Sequence, residues 1–182
     1  MTWLDRLLQR WRIEMALSYI PPKTRILDIG CGDGALLRAV ADRANEAIGI
    51  DPDAPSEAVG PNVRFVAGRF PDDIPDLGAF DAITLLATLE HVSQSEQSGV
   101  AAACMSLLKP GGVLIATVPS PAVDRITDVL RRLRLIDGLV LHEHYGFDVR
   151  TTPQLFSAAG LQPVVHRRFE LGLNNLFVFR KP

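Results

Sequence analysis

Apolar residues along this chain fall into two rhythms, one of helical spacing and one of short continuous runs. Trp3, Leu4, Leu7, Leu8, Trp11, Met15 and Tyr19 recur every three or four positions, which predicts an amphipathic helix over residues 2–19. Pro21-Pro22 ends it. Its apolar face is expected to cover a sheet, and charges of both signs on the other face disfavour a role at a membrane surface. Short apolar runs then predict strands over residues 25–29, 47–50, 63–66, 80–86 and 113–118, with helices over 35–43 and 95–108. Lys109-Pro110-Gly111-Gly112 reads as a helix stop and turn, with Lys109 exposed. Strands that alternate with helices in this way predict a parallel, doubly wound sheet with right-handed crossovers.

The pattern changes after Pro119. Val123, Ile126, Val129, Leu130 and Leu133 lie at helical spacing over residues 121–136, with Arg125, Arg131, Arg132 and Arg134 on other faces. A polar loop follows, His142-Glu143-His144-Tyr145-Gly146-Phe147-Asp148. Thr152 is then expected to cap a short helix that runs to residue 159 and closes at Gly160. Residues 163–169 and 174–179 are strand-like and only about four residues apart. That connection permits a hairpin but not a parallel crossover, so the last strand is expected to be antiparallel.

Chemistry concentrates in Ile26-Leu27-Asp28-Ile29-Gly30-Cys31-Gly32-Asp33-Gly34-Ala35-Leu36-Leu37. An apolar strand runs into glycines at alternate positions, and a helical pattern follows. Glycine admits positive φ and lets a ligand or another backbone come close, and a helix N-terminus beyond such a turn can cradle a nucleotide-like ligand. Asp28 adds a carboxylate at the strand's end, facing the same crevice. A carboxylate repels a pyrophosphate and favours a cationic group. Two other readings stand beside this one. Gly30, Gly32 and Ala35 also fit the dinucleotide fingerprint G-x-G-x-x-A, with Asp51 lying 21 residues after Gly30. The stretch can also be a structural turn that holds no ligand.

The D-x-G-x-G-x-G spacing of Asp28, Gly30, Gly32 and Gly34 resembles motif I of the class I S-adenosylmethionine (SAM)-dependent methyltransferases. The resemblance covers the chain from residue 23 onwards, and it implies SAM as cofactor, held by Asp28, Gly30, Cys31, Gly32 and Gly34. Ile48-Gly49-Ile50-Asp51 resembles the family's second motif, which assigns Asp51 to both ribose hydroxyls with Pro52 beside it. A carboxylate accepts two hydrogen bonds from a diol, although an aspartate before proline is also ordinary turn chemistry. Where the family commonly has an aspartate after the third strand, this chain has Arg69 in Ala67-Gly68-Arg69-Phe70, which puts Arg69 either at the cofactor or in solvent. Phe70 is then expected to pack on the adenine face, with backbone groups or Asp72 at its edge. Leu86-Ala87-Thr88-Leu89-Glu90-His91-Val92 resembles the L-E-H-V segment of small-molecule methyltransferases. It places Leu86 at the cofactor, and His91 either as a base near the methyl group or as a structural histidine at a helix start. Leu107-Leu108-Lys109-Pro110-Gly111-Gly112 is similar to the family's motif before the fifth strand.

The resemblance and the pattern together imply an α/β fold with a doubly wound, mostly parallel, Rossmann-like seven-stranded sheet, an antiparallel last strand and helices on both faces. Residues 1–182 are expected to form one domain, with an N-terminal helix in 1–22 and a mobile insertion over 119–150 that covers the substrate. His142, His144 and Tyr145 in that insertion are expected to line the acceptor pocket, where either histidine could take a proton from an acceptor hydroxyl. No cysteine pair or H-x₃₋₅-H helix accompanies them, so no metal is expected. The implied reaction is displacement of the sulfonium methyl by oxygen, nitrogen or carbon. The alternatives are an NAD(P)-dependent oxidoreductase and a SAM-binding module without turnover.

Composition narrows the partners. The 182 residues are 47% hydrophobic and 22% charged, with 19 Lys and Arg against 21 Asp and Glu for a net charge of −2. That balance gives no basic footprint for nucleic acid, and the chain lacks the D/N-P-P-Y sequence of nucleic-acid and protein amide N-methyltransferases. A small-molecule or lipid-linked acceptor is expected instead; the arginines at 125–134 would suit an anionic headgroup or a phosphorylated substrate, or form a solvated helix face. Two cysteines, no run of ~18 apolar residues and a charged N-terminus point to a reduced, cytoplasmic setting. Oligomeric state leaves no mark in the sequence.

Overall fold

The computed structural model describes residues 3–57, 59–74, 76–120 and 148–182. In chain order the elements are helix α1 (Trp3–Leu17), β1 (Arg25–Ile29), α2 (Ala35–Val40), β2 (Glu46–Asp51), β3 (Val63–Ala67), β4 (Phe80–Leu86), a 3₁₀ turn (Leu89–His91), α3 (Gln97–Leu107) and β5 (Leu108–Pro119). A 3₁₀ turn (Val149–Thr151), α4 (Thr152–Ala158), β6 (Gln162–Phe169), a further 3₁₀ turn (Glu170–Gly172) and β7 (Asn174–Arg180) complete it.

The seven strands form one sheet in the order β3-β2-β1-β4-β5-β7-β6. Neighbouring pairs from β3 across to β5 are parallel, and β7 runs antiparallel to both β5 and β6. The expected reversal of the last strand therefore holds. The connection of Glu170–Gly172 is too short to carry the chain back to the far end of the sheet, so β7 must return alongside β6.

Side chains alternate across the sheet and are buried on both faces, as a covered parallel sheet requires. Leu27, Ile29, Ile83, Leu85, Phe177 and Phe179 pack with Val100 and Cys104 of α3 and Phe156 of α4. Ile26, Ala82, Leu176 and Val178 point the other way, onto Ile13 and Ala16 of α1, and onto Leu36, Leu37 and Val40 of α2. Asp28, two residues after Ile26, and Thr84, two after Ala82, therefore also point to the α1 side.

Several local expectations shift. Only the second half of α1 and the turn after it cover the sheet: Ile13, Ala16 and Ile20 are buried, while Trp3 (77%), Leu7 (51%) and Trp11 (41%) remain exposed. The long apolar stripe winds around the helix, so the residues buried against the sheet come after Arg12, and before it the Trp11 ring meets Phe169 at the end of β6. The fifth strand begins at Leu108 rather than 113. Leu108 pairs with Phe80 and Val113 with Ala82, so Lys109–Gly112 forms a wide bulge inside the strand. Gly111, at φ 78°, makes the bend there and donates its N–H to the Lys181 carbonyl at 2.9 Å. Lys109 is not free in solvent but pairs with Asp81 at 2.8 Å. Thr152 is the first residue of α4 and fully buried; Thr151 is the N-cap residue, and neither hydroxyl caps the helix. The preceding turn is closed by Asp148, whose carboxylate accepts the Arg150 N–H at 3.0 Å.

Phe156 and Phe179 are both fully buried and meet with ring centroids 4.9 Å apart. Either residue changed to alanine should cost ~3–5 kcal/mol of unfolding free energy. The double variant should cost less than the sum, because the second truncation removes a contact already lost. Urea unfolding of the four proteins measures both; strict additivity would mean the rings do not support each other.

Candidate functional site

The β1–α2 turn, Gly30 to Gly34, lies across the carboxyl ends of β1, β2 and β4, and each of its glycines is there for a different reason. Gly30 has φ 73°, and a Cβ on it would come within 2.4 Å of Thr88 Oγ1. The Thr88 hydroxyl fills that space by donating to the Ile29 carbonyl at 3.0 Å. Gly34, at φ 77°, is packed against the Phe65 ring, which a Cβ would meet at 2.5 Å. Gly32 is unlike either, because a Cβ there would meet nothing within 4 Å. Its φ of 50° is the only local demand for glycine, and the space beside it is open.

Two cavities meet at this turn. A cleft of about 500 Å³ is lined by Gly30, Asp51, Pro52, Arg69, Phe70, Asp72, Thr88, His91 and Val92 among others. A smaller one of about 150 Å³, on the α1 side, is lined by Gln9, Arg12, Ile13, Asp28, Gly30, Cys31, Gly32 and Leu86 among others. Gly30 and Ala87 border both. Of the cofactor residues expected from the sequence, Asp51, Pro52, Arg69 and Phe70 thus face the large cleft, and Asp28, Cys31, Gly32 and Leu86 the small one. Gly34 borders neither and serves the packing of the turn. His91 is exposed on the wall of the large cleft. His142, His144, Tyr145 and the 121–147 part of the expected covering insertion lie outside the described residues.

The two aspartates differ in environment. Asp51 Oδ2 accepts the Gly32 N–H at 3.0 Å and Oδ1 accepts the Asp53 N–H at 2.8 Å, so Asp51 ties the glycine turn to the end of β2. Each oxygen keeps a further lone pair, and the group retains capacity for a diol. Asp28 is 3% exposed and accepts the Thr84 hydroxyl at 2.6 Å. Burial pushes its carboxyl up to about 7; the Thr84 hydrogen bond opposes the rise and the Asp51 charge adds to it. Cys31 packs its sulfur under Gly49, and burial with the neighbouring Asp28 and Asp51 charges pushes its thiol up to about 12. It stays protonated near neutral pH and offers the small cavity no nucleophile.

Sequence reasoning missed several residues here. Thr84 had a signal, being a hydroxyl inside the apolar run of β4. Gln9 and Arg12 had none, since only the docking of α1 brings them to the turn, where the Gln9 amide donates to Asp33 at 2.9 Å. Arg12 donates Nε to the Leu8 carbonyl at 3.4 Å and lies close enough to Glu90 and Glu170 to pull both carboxyls down. Burial outweighs that pull and raises both, Glu90 to about 7. Among the described residues no group of three or more His, Cys, Asp or Glu is placed to hold a metal ion.

A mixed sheet with its last strand reversed, and a glycine turn between two cavities at the strands' carboxyl ends, define a Rossmann-like fold with an open crevice at the place where such sheets hold their ligands. A methyltransferase-domain family model matches residues 2–166, and the chain belongs to that family. The class I methyltransferase resemblance of the motifs is thereby borne out, and the oxidoreductase alternative is not favoured. Among curated relatives, a ubiquinone biosynthesis O-methyltransferase of Saccharophagus degradans is 39% identical over 99 residues, which is 48% of this chain and 40% of that protein. The enzyme of the same name from Chromobacterium violaceum is 39% identical over 98 residues, 48% of this chain and 41% of its own. The matched stretch spans about two fifths of these relatives. Among solved structures, the 1,6-didemethyltoxoflavin-N1-methyltransferase of Burkholderia thailandensis, with 1,6-didemethyltoxoflavin and S-adenosylhomocysteine bound, superposes with a TM-score of 0.74 at 21% identity, covering 98% of this chain and 80% of that one. The N-methyltransferase NodS of Bradyrhizobium japonicum, complexed with S-adenosylhomocysteine, gives 0.69 at 18% identity over 100% and 89%. At these identities the likeness is one of fold.

Glu90 gives a pH test of the buried charge. Its folded value near 7 lies above the unfolded 4.5, so the native state keeps a proton that the unfolded chain releases between these values. Wild-type stability should therefore fall as pH rises through that window. Glu90→Gln carries no charge at any pH, and its stability relative to wild type should rise across the same window by up to ~3 kcal/mol. Urea unfolding of both proteins at stepped pH measures it; a difference that does not vary with pH would show that Glu90 ionises freely.

Proposed function

We propose that this chain transfers a methyl group from SAM to a small-molecule acceptor. The observation that carries the reading is the pair of cavities meeting at Gly30, one with the Asp51 carboxylate and the other with the buried Asp28. A ligand with a diol at one end and an amino-acid group at the other suits that layout. Asp51 would take the ribose hydroxyls, and Phe70 and Pro52 would offer apolar faces to the adenine. Asp28 would meet the ammonium, and Arg12, on the same small cavity, the carboxylate. The bare Gly32 leaves room for the ligand to cross the turn. Bound there, SAM supplies a methyl group already activated by its sulfonium.

The chain's own task is then orientation and exclusion of water, and holding the partners in line can lower a barrier by ~7–11 kcal/mol. His91, on the wall of the large cleft, would accept a proton from an acceptor hydroxyl, a contribution of ~10²–10⁴-fold where the acceptor must be deprotonated. An oxygen nucleophile is supported by the names of the curated relatives, both O-methyltransferases. A lipid-linked acceptor falls within the same proposal, with the 119–150 segment as the cover over it.

Asp51→Ala should weaken SAM binding by roughly 10- to 150-fold, the loss of a hydrogen bond to a charged group. Calorimetric titration measures it, with a thermal melt to show that the turn still folds. Undiminished affinity in a folded variant would remove Asp51 from the site. Transfer of label from SAM to a panel of phenols, amines and carbon acids tests turnover, and SAM binding without transfer to any acceptor class would favour a binding module.

Asp28 predicts a pH dependence of its own. Only the ionised carboxylate attracts an ammonium, and its value near 7 in the free protein leaves it largely protonated in mild acid. SAM affinity should therefore rise with pH through about 7, with proton release on binding below that point. Titration in two buffers of different ionisation enthalpy counts the proton; no release on the acid side would place the ammonium elsewhere.

A further inference from the structure

The outward face of α1 is unusual for a helix that packs on a sheet. Ile13 and Ala16 turn inward, and Trp3, Leu7 and Trp11 follow one another at four-residue steps on the opposite side, all exposed. At about 100° per residue the three lie within ~80° of each other and form one stripe. The Trp11 ring stands edge-on to Phe169 at the end of β6, with centroids 6.4 Å apart. Two residues further on, Leu171 is 96% exposed at the tip of the β6–β7 connection, and its φ is 57°. A leucine is strained in that left-handed conformation, where a glycine would be at ease. It is held there with its whole side chain in solvent.

Cations border this apolar surface. Arg6 and Arg10 are exposed on α1, and Arg10 pairs with the exposed Glu14 at 2.9 Å. Arg167 of β6 is exposed and lies directly across from Leu176, which packs beneath α1, so Arg167 also sits on the α1 face. The exposed Arg168 follows on the other face of the strand.

We propose that the α1 stripe, together with Leu171, docks on an anionic lipid bilayer. The sequence pattern disfavours such a role because it sends the apolar face to the sheet, whereas the structure leaves Trp3, Leu7 and Trp11 exposed. Tryptophan rings settle at the headgroup level, where their bodies are apolar and their N–H groups remain wet. An amphipathic helix with arginines beside tryptophan and leucine lies in that interface, strengthened by anionic lipid. Leu171 projects singly, which suits insertion among acyl chains rather than a flat protein contact.

The chain's two tryptophans are Trp3 and Trp11, so intrinsic fluorescence reads this surface directly. Vesicles of phosphatidylglycerol and phosphatidylcholine should shift the emission to the blue and sediment the protein. Phosphatidylcholine alone should do so less, and added salt should weaken the binding. Leu7→Ser combined with Leu171→Ser changes two solvent-facing side chains, keeps both reporters, and should lose the shift while the thermal melt stays unchanged. Arg10→Gln and Arg167→Gln should each weaken vesicle binding by roughly fivefold. Absence of sedimentation with anionic vesicles would overturn the proposal, as would full binding by the leucine double variant. So would a blue shift that grows with protein concentration without lipid, the mark of a second copy, or salt-sensitive binding to duplex DNA in place of vesicles.

Discussion

The turn after β1 can lie across the ends of its neighbours because Gly30 has no side chain where Thr88 stands. A Cβ 2.4 Å from the Thr88 hydroxyl would force the turn away from β4, and the Asp51 carboxylate would lose the Gly32 N–H that it holds at 3.0 Å. That one close approach fixes the ends of β1, β2 and β4 relative to each other. It also decides that both cavities open onto the same glycine. The position of Asp51 at one cavity and Asp28 at the other follows from it.

Two carboxylates of the same chemistry are thereby given different tasks. Asp51 is held by backbone N–H groups and keeps lone pairs turned to the large cleft. Asp28 is sealed beneath the turn with Thr84 as its hydrogen-bond partner, and burial lifts its carboxyl to about 7. A buried carboxyl raised in this way beside an open cavity is the environment in which a binding role is sought. In the proposed function, a cation arriving at Asp28 would recover the cost of its ionisation. Glu90 and Glu170 extend the buried acidic region under α1, with Arg12 as the counter-charge that reaches both.

α1 joins these features. Its inner face closes the sheet and contributes Arg12 and Gln9 to the small cavity. Its outer face carries the two tryptophans of the chain beside arginines. A helix that forms one wall of a ligand cavity while resting on a bilayer would couple the position of the site to the membrane surface.

The sequence alone determined what depends on neighbours along the chain. Continuous apolar runs marked the buried strands, the glycines after β1 marked the turn, and the short gap before residue 174 required the last strand to run backwards. Each follows from local geometry, in which side-chain periodicity and connection length leave few solutions. The tertiary structure decided what depends on partners far apart in sequence. Asp28 and Thr84 are 56 residues apart, and only the β1–β4 register places one opposite the other. Thr88 is the reason for Gly30, and nothing near Gly30 in the chain announces it. The apolar stripe of α1 was legible, but which part of it meets the sheet was not, because a helix's rotation is set by the surface it packs against. Glu90 reads as an ordinary charged residue in a short motif, and burial, a property of the whole fold, makes it a proton-holding group.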